Sequence, residues 1–234
     1  MMPTAAVSVT VVPPGPEPAV RTARLTGLFY LALGVTGMIG FLVIRPALFA
    51  AGDPAATAAH LVDHERLARA GIALELGTVI FQALVAVWFF KLFRSVDDVA
   101  AGMIAVFGFV NAIAVLMSAA LLATALQVAL APNGLDAGSA QLMYLISTNA
   151  WQVGNVFFGL WLIPMGTCVL ASGWMPRALG WILIAGGVGY VANAFASYLV
   201  PDAGPAVALL VIPATVGEFW MIGYLIVKGI GAKA

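Results

Sequence analysis

Apolar residues run along this chain in stretches of twenty or more, apolar on every face, with most charged residues gathered at the joins. A membrane helix needs roughly 20 mainly apolar residues to cross about 30 Å of hydrocarbon. Leu25–Ile44 is one such run, bounded by Arg24 and Arg45, and Arg69–Phe90 is a second, interrupted by Glu75. Between Asp98 and Arg177 the only charge is Asp136, beside the turn signal Pro132-Asn133-Gly134. That stretch therefore reads as two helices, about 99–131 and 140–171. A fifth run covers 176–200 and stops at Pro201-Asp202-Ala203-Gly204-Pro205, and a sixth covers 206–227 with Glu218 inside it. A membrane barrel would alternate polar and apolar residues in segments of about ten. Backbone in hydrocarbon must satisfy its own hydrogen bonds, which leaves helices. The expected fold is all-α, a polytopic six-helix transmembrane bundle over residues 21–234.

Within residues 1–20, Pro13, Pro14, Pro16 and Pro18 break the apolar run before the first base, Arg21. That pattern suits a disordered cytoplasmic tail and not a secretory signal, which needs a basic start and an unbroken apolar core. Orientation follows from Lys and Arg in the connections. Arg21, Arg24, Lys91, Arg94, Arg177, Lys228 and Lys233 fall on one side, and Arg45, Arg66 and Arg69 on the other. The first side is expected in the cytoplasm, with both termini, and the location is the cell membrane. At 1.5 Å per residue the third helix would be about 50 Å long. Either it tilts strongly, or it and the fourth project together beyond the outer surface; a cap is expected there, with the Arg45–Arg66 loop against the projection and Trp151 at the outer interface.

Composition narrows the functional classes. The chain of 234 residues is 63% hydrophobic and 9% charged, against about 25% charged in soluble domains. Its ten basic and ten acidic side chains cancel, which excludes a nucleic-acid footprint. A single cysteine, Cys168, excludes an intrachain disulfide, a thiolate cluster or a redox pair. No GxSxG, HExxH or P-loop occurs, no cofactor is implied, and the balance leans away from an enzyme. The expected partners are the lipid bilayer and either a second copy or another membrane protein.

Four pieces of the sequence carry a resemblance: Arg21-x-x-Arg24-x-x-Gly27-x-x-Tyr30 entering the first helix; GDPAATAAHLVDHERLARAGI from Gly52 to Ile72; Met175-Pro176-Arg177-Ala178-Leu179-Gly180; and Gly217-Glu218. On these the chain resembles the bacterial membrane family catalogued as domain of unknown function 4386, over about 21–229. The resemblance implies six helices in a bacterial cytoplasmic membrane. It implies no activity, so no catalytic residue is carried over.

An ionisable group inside a span costs at least about 2.5–3.5 kcal/mol and usually faces the bundle or a cavity. Glu75 and Glu218 qualify. Glu75 could pair with Arg45 or Arg69, whereas Glu218, ten residues before Lys228, has no cation in any span interior. Neutral polar residues fall in stripes: Glu75, Thr78 and Gln82; Asn111 and Ser118; Thr148, Gln152, Asn155 and Gly159. Their spacings put each set on one helix face. Two arrangements remain open. The stripes either hydrogen-bond the helices together, or Glu75, Gln82, Asn111, Gln152, Asn155, Asn193 and Glu218 line a polar pocket open to the outside. In the fifth helix, Ala185, Gly189, Asn193 and Ser197 form a small-residue ridge suited to close packing. Pro164 and Pro213 offer helix breaks of the kind transporters use. His60, Asp63 and His64 are a weak metal set in the outer loop, read chiefly as a solvated helix start. Two functions follow: first a non-enzymatic membrane-embedded accessory or interaction protein, and as the alternative a small solute-binding or proton-coupled transport protein whose outward-open pocket reaches Glu75 and Glu218.

Overall fold

The computed structural model describes residues 16–131, 134–200 and 205–230. Most of the expected tail, Pro132-Asn133 of the expected turn, Pro201–Gly204 and Lys233 lie outside them. Helix α1 spans Pro16–Met38 and runs on through a π-helical stretch, Ile39–Ile44, into Arg45–Leu48. Its start lies inside the stretch expected as tail; proline is tolerated in a first turn, where its missing N–H has no partner to lose. Helix α2 is Pro54–Asp63, α3 is Glu65–Phe93, α4 is Asp98–Leu130, α5 is Ala137–Ser172 and α6 is Arg177–Leu199. A short turn at Pro205–Ala208 and a 3-10 turn at Leu209–Val211 lead into α7, Ile212–Val227.

All helices but α2 belong to six spans long and apolar enough to cross a membrane, the first covering Ala19–Leu48 and the last Leu209–Val227. The protein is a multi-pass, all-helical membrane bundle. The first span overshoots the expected boundary at Ile44, because Arg45 is not a flanking charge. It is a buried member of the helix, neutralised from α3.

Short polar caps set the helix starts. Asp53, Asp97 and Asp136 each stand at an N-cap and accept the backbone N–H three residues on, from Ala56, Ala100 and Ser139. Helix α5 ends at Gly173, whose φ of +67° suits the left-handed C-terminal position that glycine favours. The two expected breaks are not breaks. Pro164 sits within continuous α5, where its carbonyl accepts from the Thr167 hydroxyl at 2.9 Å. Pro213 lies in the first turn of α7, where it costs no hydrogen bond.

The spans form a ring in chain order, α1–α3–α4–α5–α6–α7, with α7 closing on α1. One end of the ring carries the bases Arg21, Lys91, Arg177 and Lys228 and is here the terminal end; the other, with Gly52 and Asp136, is the loop end. The α5–α6 seam is drawn tight by glycine. A Cβ on Gly187 would stand 2.7 Å from the Gly159 carbonyl, and one on Gly180 would stand 2.9 Å from that of Gly166. The ridge on α6 serves the α7 seam in part: Gly189 meets the Leu210 carbonyl, and Asn193 Nδ2 donates to the Val207 carbonyl at 2.8 Å. Ala185 and Ser197 are exposed.

Aromatic rings fill the centre. Tyr30, Phe89 and Trp161 pack edge-on to one another, with centroids 5.5 to 6.0 Å apart. At the loop end α2 packs on α4 and α5, and a second core gathers Leu48, Leu61, Leu122, Leu126 and Tyr144.

Candidate functional site

Two carboxyls inside the bundle occupy different surroundings. Glu75, on the inner face of α3, lies against Arg45 of the first span. Arg45 Nε donates to Glu75 Oε1 at 2.8 Å, and both side chains are buried. The guanidinium uses its remaining donors on α4 and α5. Nη2 donates to the Ser118 and Ser147 hydroxyls, and Nη1 donates to Thr148 Oγ1 at 3.1 Å. Ser118 in turn donates to Glu75 Oε2 at 3.0 Å, and Ser147 donates to the Ser118 carbonyl at 2.8 Å. Tyr144 donates to the Arg45 backbone carbonyl at 2.7 Å, and its ring and that of Phe41 lie under the cation at 5.6 and 5.8 Å. A buried charge is tolerable only when paired and hydrogen-bonded throughout. This centre meets that condition. It ties four helices and has no evident capacity left for a ligand.

Glu218 meets none of it. Its Oε1 accepts from the Tyr30 hydroxyl at 2.6 Å. Among the described residues its Oε2 has no hydrogen-bond partner. Glu218 lines a cavity of about 280 Å³ between α1 and α7, backed by Thr78 of α3, Trp151, Asn155 and Phe158 of α5, and Tyr190 of α6. The shape of the cavity follows from two glycines. Near the terminal end the helices touch, and a Cβ on Gly27 would stand 2.8 Å from Ile226. Two turns on, a Cβ on Gly34 would meet nothing within 4 Å. The helices thus diverge toward the loop end. The edges of the gap are Met38, Leu42 and Phe219, exposed by 46%, 62% and 50% on the bundle's outside. The cavity opens sideways, through the wall of the bundle, among apolar side chains.

The expected single polar pocket is not assembled. Of its seven residues, Glu218 and Asn155 line the cavity and Glu75 does not. Gln82 is completely buried where α3 meets Gly108 and Trp161, and its amide finds no partner among the described residues. Asn111 donates to the Gly154 carbonyl at 3.1 Å, a bond that joins α4 to α5. Asn193 is engaged with Val207 at the α6–α7 seam. Gln152 is exposed on the outside of α5. The buried face of α5 runs through Ser147, Trp151 and Gly154, and one step along a helix turns a side chain by about 100°.

Three further expectations change. Trp151 is not an interface marker but a cavity wall, stacked on Phe158 at 6.0 Å and against Phe41 at 4.7 Å. Arg69 pairs with Glu65 one turn away and not with Glu75. His60, Asp63 and His64 do not converge: Asp63 and His64 are exposed, and the two imidazoles stand 6.3 Å apart. Among the described residues no group of three or more His, Cys, Asp or Glu is placed to hold a metal ion.

Sequence reasoning missed Tyr30, Tyr190 and Ser147. Tyr30 stood in the resemblance motif as the last residue of Arg21-x-x-Arg24-x-x-Gly27-x-x-Tyr30, a signal that it is more than a core ring.

No curated protein and no solved structure matches the chain. One family model does, over residues 25–229, which takes in five of the six spans, most of the first, and both carboxyl centres. The chain therefore belongs to the family described as Domain of unknown function (DUF4386).

Proposed function

We propose that this protein is a non-enzymatic, membrane-embedded binding protein that takes an amphipathic molecule from the lipid phase into the groove between α1 and α7. The observation that carries this reading is Glu218, an acid with no cation partner, in the lining of a laterally open cavity. A protein whose polar residues only hold helices together has no use for an unpaired acid beside empty space, since such a group is costly in hydrocarbon. The volume of about 280 Å³ is near the lower end of ligand pockets, about 300 Å³. It suits a small amphipath or the end of a larger one. The separate surroundings of Glu75 and Glu218 weigh against one aqueous pocket reaching both.

The orientation belongs to the same proposal: a bacterial cytoplasmic membrane, with the terminal end inside. Arg21, Arg24, Lys91, Arg94, Arg177 and Lys228 lie at that end. Removing the buried Arg45 from the opposite count leaves Arg66 and Arg69 there, which strengthens the bias. In a Cys168→Ser background, His64→Cys should react with an impermeant maleimide in intact cells, and Lys228→Cys only once the cells are permeabilised.

The groove itself is tested with a photoactivatable fatty alcohol and mass-spectrometric mapping. Adducts are expected on Met38, Leu42 and Phe219, and Gly34→Leu, which fills open space, should remove them. Adducts scattered evenly over all exposed faces, unaffected by Gly34→Leu, would return the protein to the accessory reading.

A further inference from the structure

Among the described residues the cavity has one acidic group and no basic one. Its lining includes Glu218 and lacks any Lys, Arg or His. Around that acid stand the rings of Tyr30, Phe41, Trp151, Phe158, Tyr190 and Phe219. Several contact one another: Phe41 and Phe158 both lie against Trp151, and Tyr190 stacks on Phe158 at 6.0 Å. Aromatic faces carry negative potential, and they bind organic cations, quaternary ammonium groups above all. An acid that ionises against a bound cation gives the same preference from a second source. In a low-dielectric groove both terms weigh more than in water, and both repel an anion.

We infer that the groove's ligand is a lipophilic organic cation, an amine or quaternary ammonium whose charged group meets Glu218 Oε2 while its apolar part lies among the rings. This rests on the binding reading above and narrows it to one chemical class. Tyr30 has a defined part in it. Its hydroxyl donates to Oε1, which fixes the carboxyl and leaves the other oxygen to the ligand. The lateral mouth fits the same class, because a lipophilic cation concentrates in the bilayer before it binds.

The full-length protein in phosphatidylcholine nanodiscs is titrated calorimetrically with benzyltrimethylammonium, with empty nanodiscs subtracted. Its uncharged carbon isostere, neopentylbenzene, is the control for shape. The cation is expected to bind saturably and at least fivefold tighter than the isostere. Glu218→Gln should weaken the cation at least fivefold and leave the isostere unchanged, and Glu218→Asp should keep the preference for charge, which guards against a variant that only misfolds. Equal binding of the two probes, or a loss below fivefold in Glu218→Gln, overturns the inference. Fatty-alcohol labelling of the groove then decides the wider reading separately: retained labelling means that the groove takes amphipaths without regard to charge, and absent labelling removes both.

Discussion

Arg45 and Glu75, thirty residues apart in the chain, form a buried ion pair with Arg45 Nε 2.8 Å from Glu75 Oε1. The pair explains how a base can follow the first apolar run and still remain inside the helix. Removing one partner of such a pair typically costs about 3–5 kcal/mol, whereas replacing both with apolar groups costs far less. Arg45→Leu and Glu75→Leu are therefore each expected to lower stability by about that amount in SDS or thermal unfolding. The double variant should be more stable than either single one. Two single variants costing under about 1 kcal/mol each would show that the charges are screened by water.

A second expectation concerns Tyr30. Its hydroxyl makes one bond, to Glu218, and its ring packs against Phe89 and Trp161. Tyr30→Phe keeps the ring and loses the bond. A hydrogen bond to a charged group contributes about 1.5–3 kcal/mol and one to a neutral group about 0.5–1.5 kcal/mol. The unfolding difference thus reports the charge carried by Glu218. A change of zero would mean that the hydroxyl bond is absent in the bilayer.

Glycine substitutions separate the tight seam from the open one. Gly187→Ala would bring its methyl to 2.7 Å from the Gly159 backbone. Overpacking of this kind costs about 1–3 kcal/mol. Gly34→Ala meets no atom within 4 Å and replaces glycine inside a helix, so a gain of roughly 0.5–1 kcal/mol is expected. Thermal melting in detergent should move the two variants in opposite directions. A shared direction would mean that α5 and α6 are not in close contact.

Outside the spans, Asp136 gives a dependence on pH. The backbone N–H and hydroxyl of Ser139 hold its carboxyl below the ordinary value. A depressed folded-state value means stability that is fully present above the unfolded value, about 3.9. It is lost as pH falls through the lower folded value. Asp136→Asn should flatten that acid limb while leaving neutral-pH stability nearly intact, since Asn also caps helices. Melting curves between pH 5 and 2, run on both proteins, provide the check.

The spans were legible because apolar length is a local signal, and so were the inward faces of α3 and α4. Glu75, Thr78, Gln82, Asn111 and Ser118 all point into the bundle, as their spacing requires. What the polar residues meet was not legible. Tyr30 and Glu218 lie 188 positions apart, and no periodicity relates them. Arg45 was readable as a partner for Glu75, but apolar length alone made it a flank. The π-helical stretch before it leaves no mark in composition. Gln152 shows the limit of stripe reasoning: it shares a spacing with Thr148 and Asn155 yet is exposed, because the buried face of α5 is centred on Trp151.

Because the ring follows chain order, the groove joins the first of the six described spans to the sixth. During synthesis α1 is made and inserted long before α7 exists, and until then Tyr30 has no Glu218 to hold. A prematurely ended chain could still build the Arg45 centre from its first four spans and pack much of its core, but it would carry no ligand site. Synthesis through α7 is thus a condition of binding, and occupancy of the groove would report that α7 had arrived.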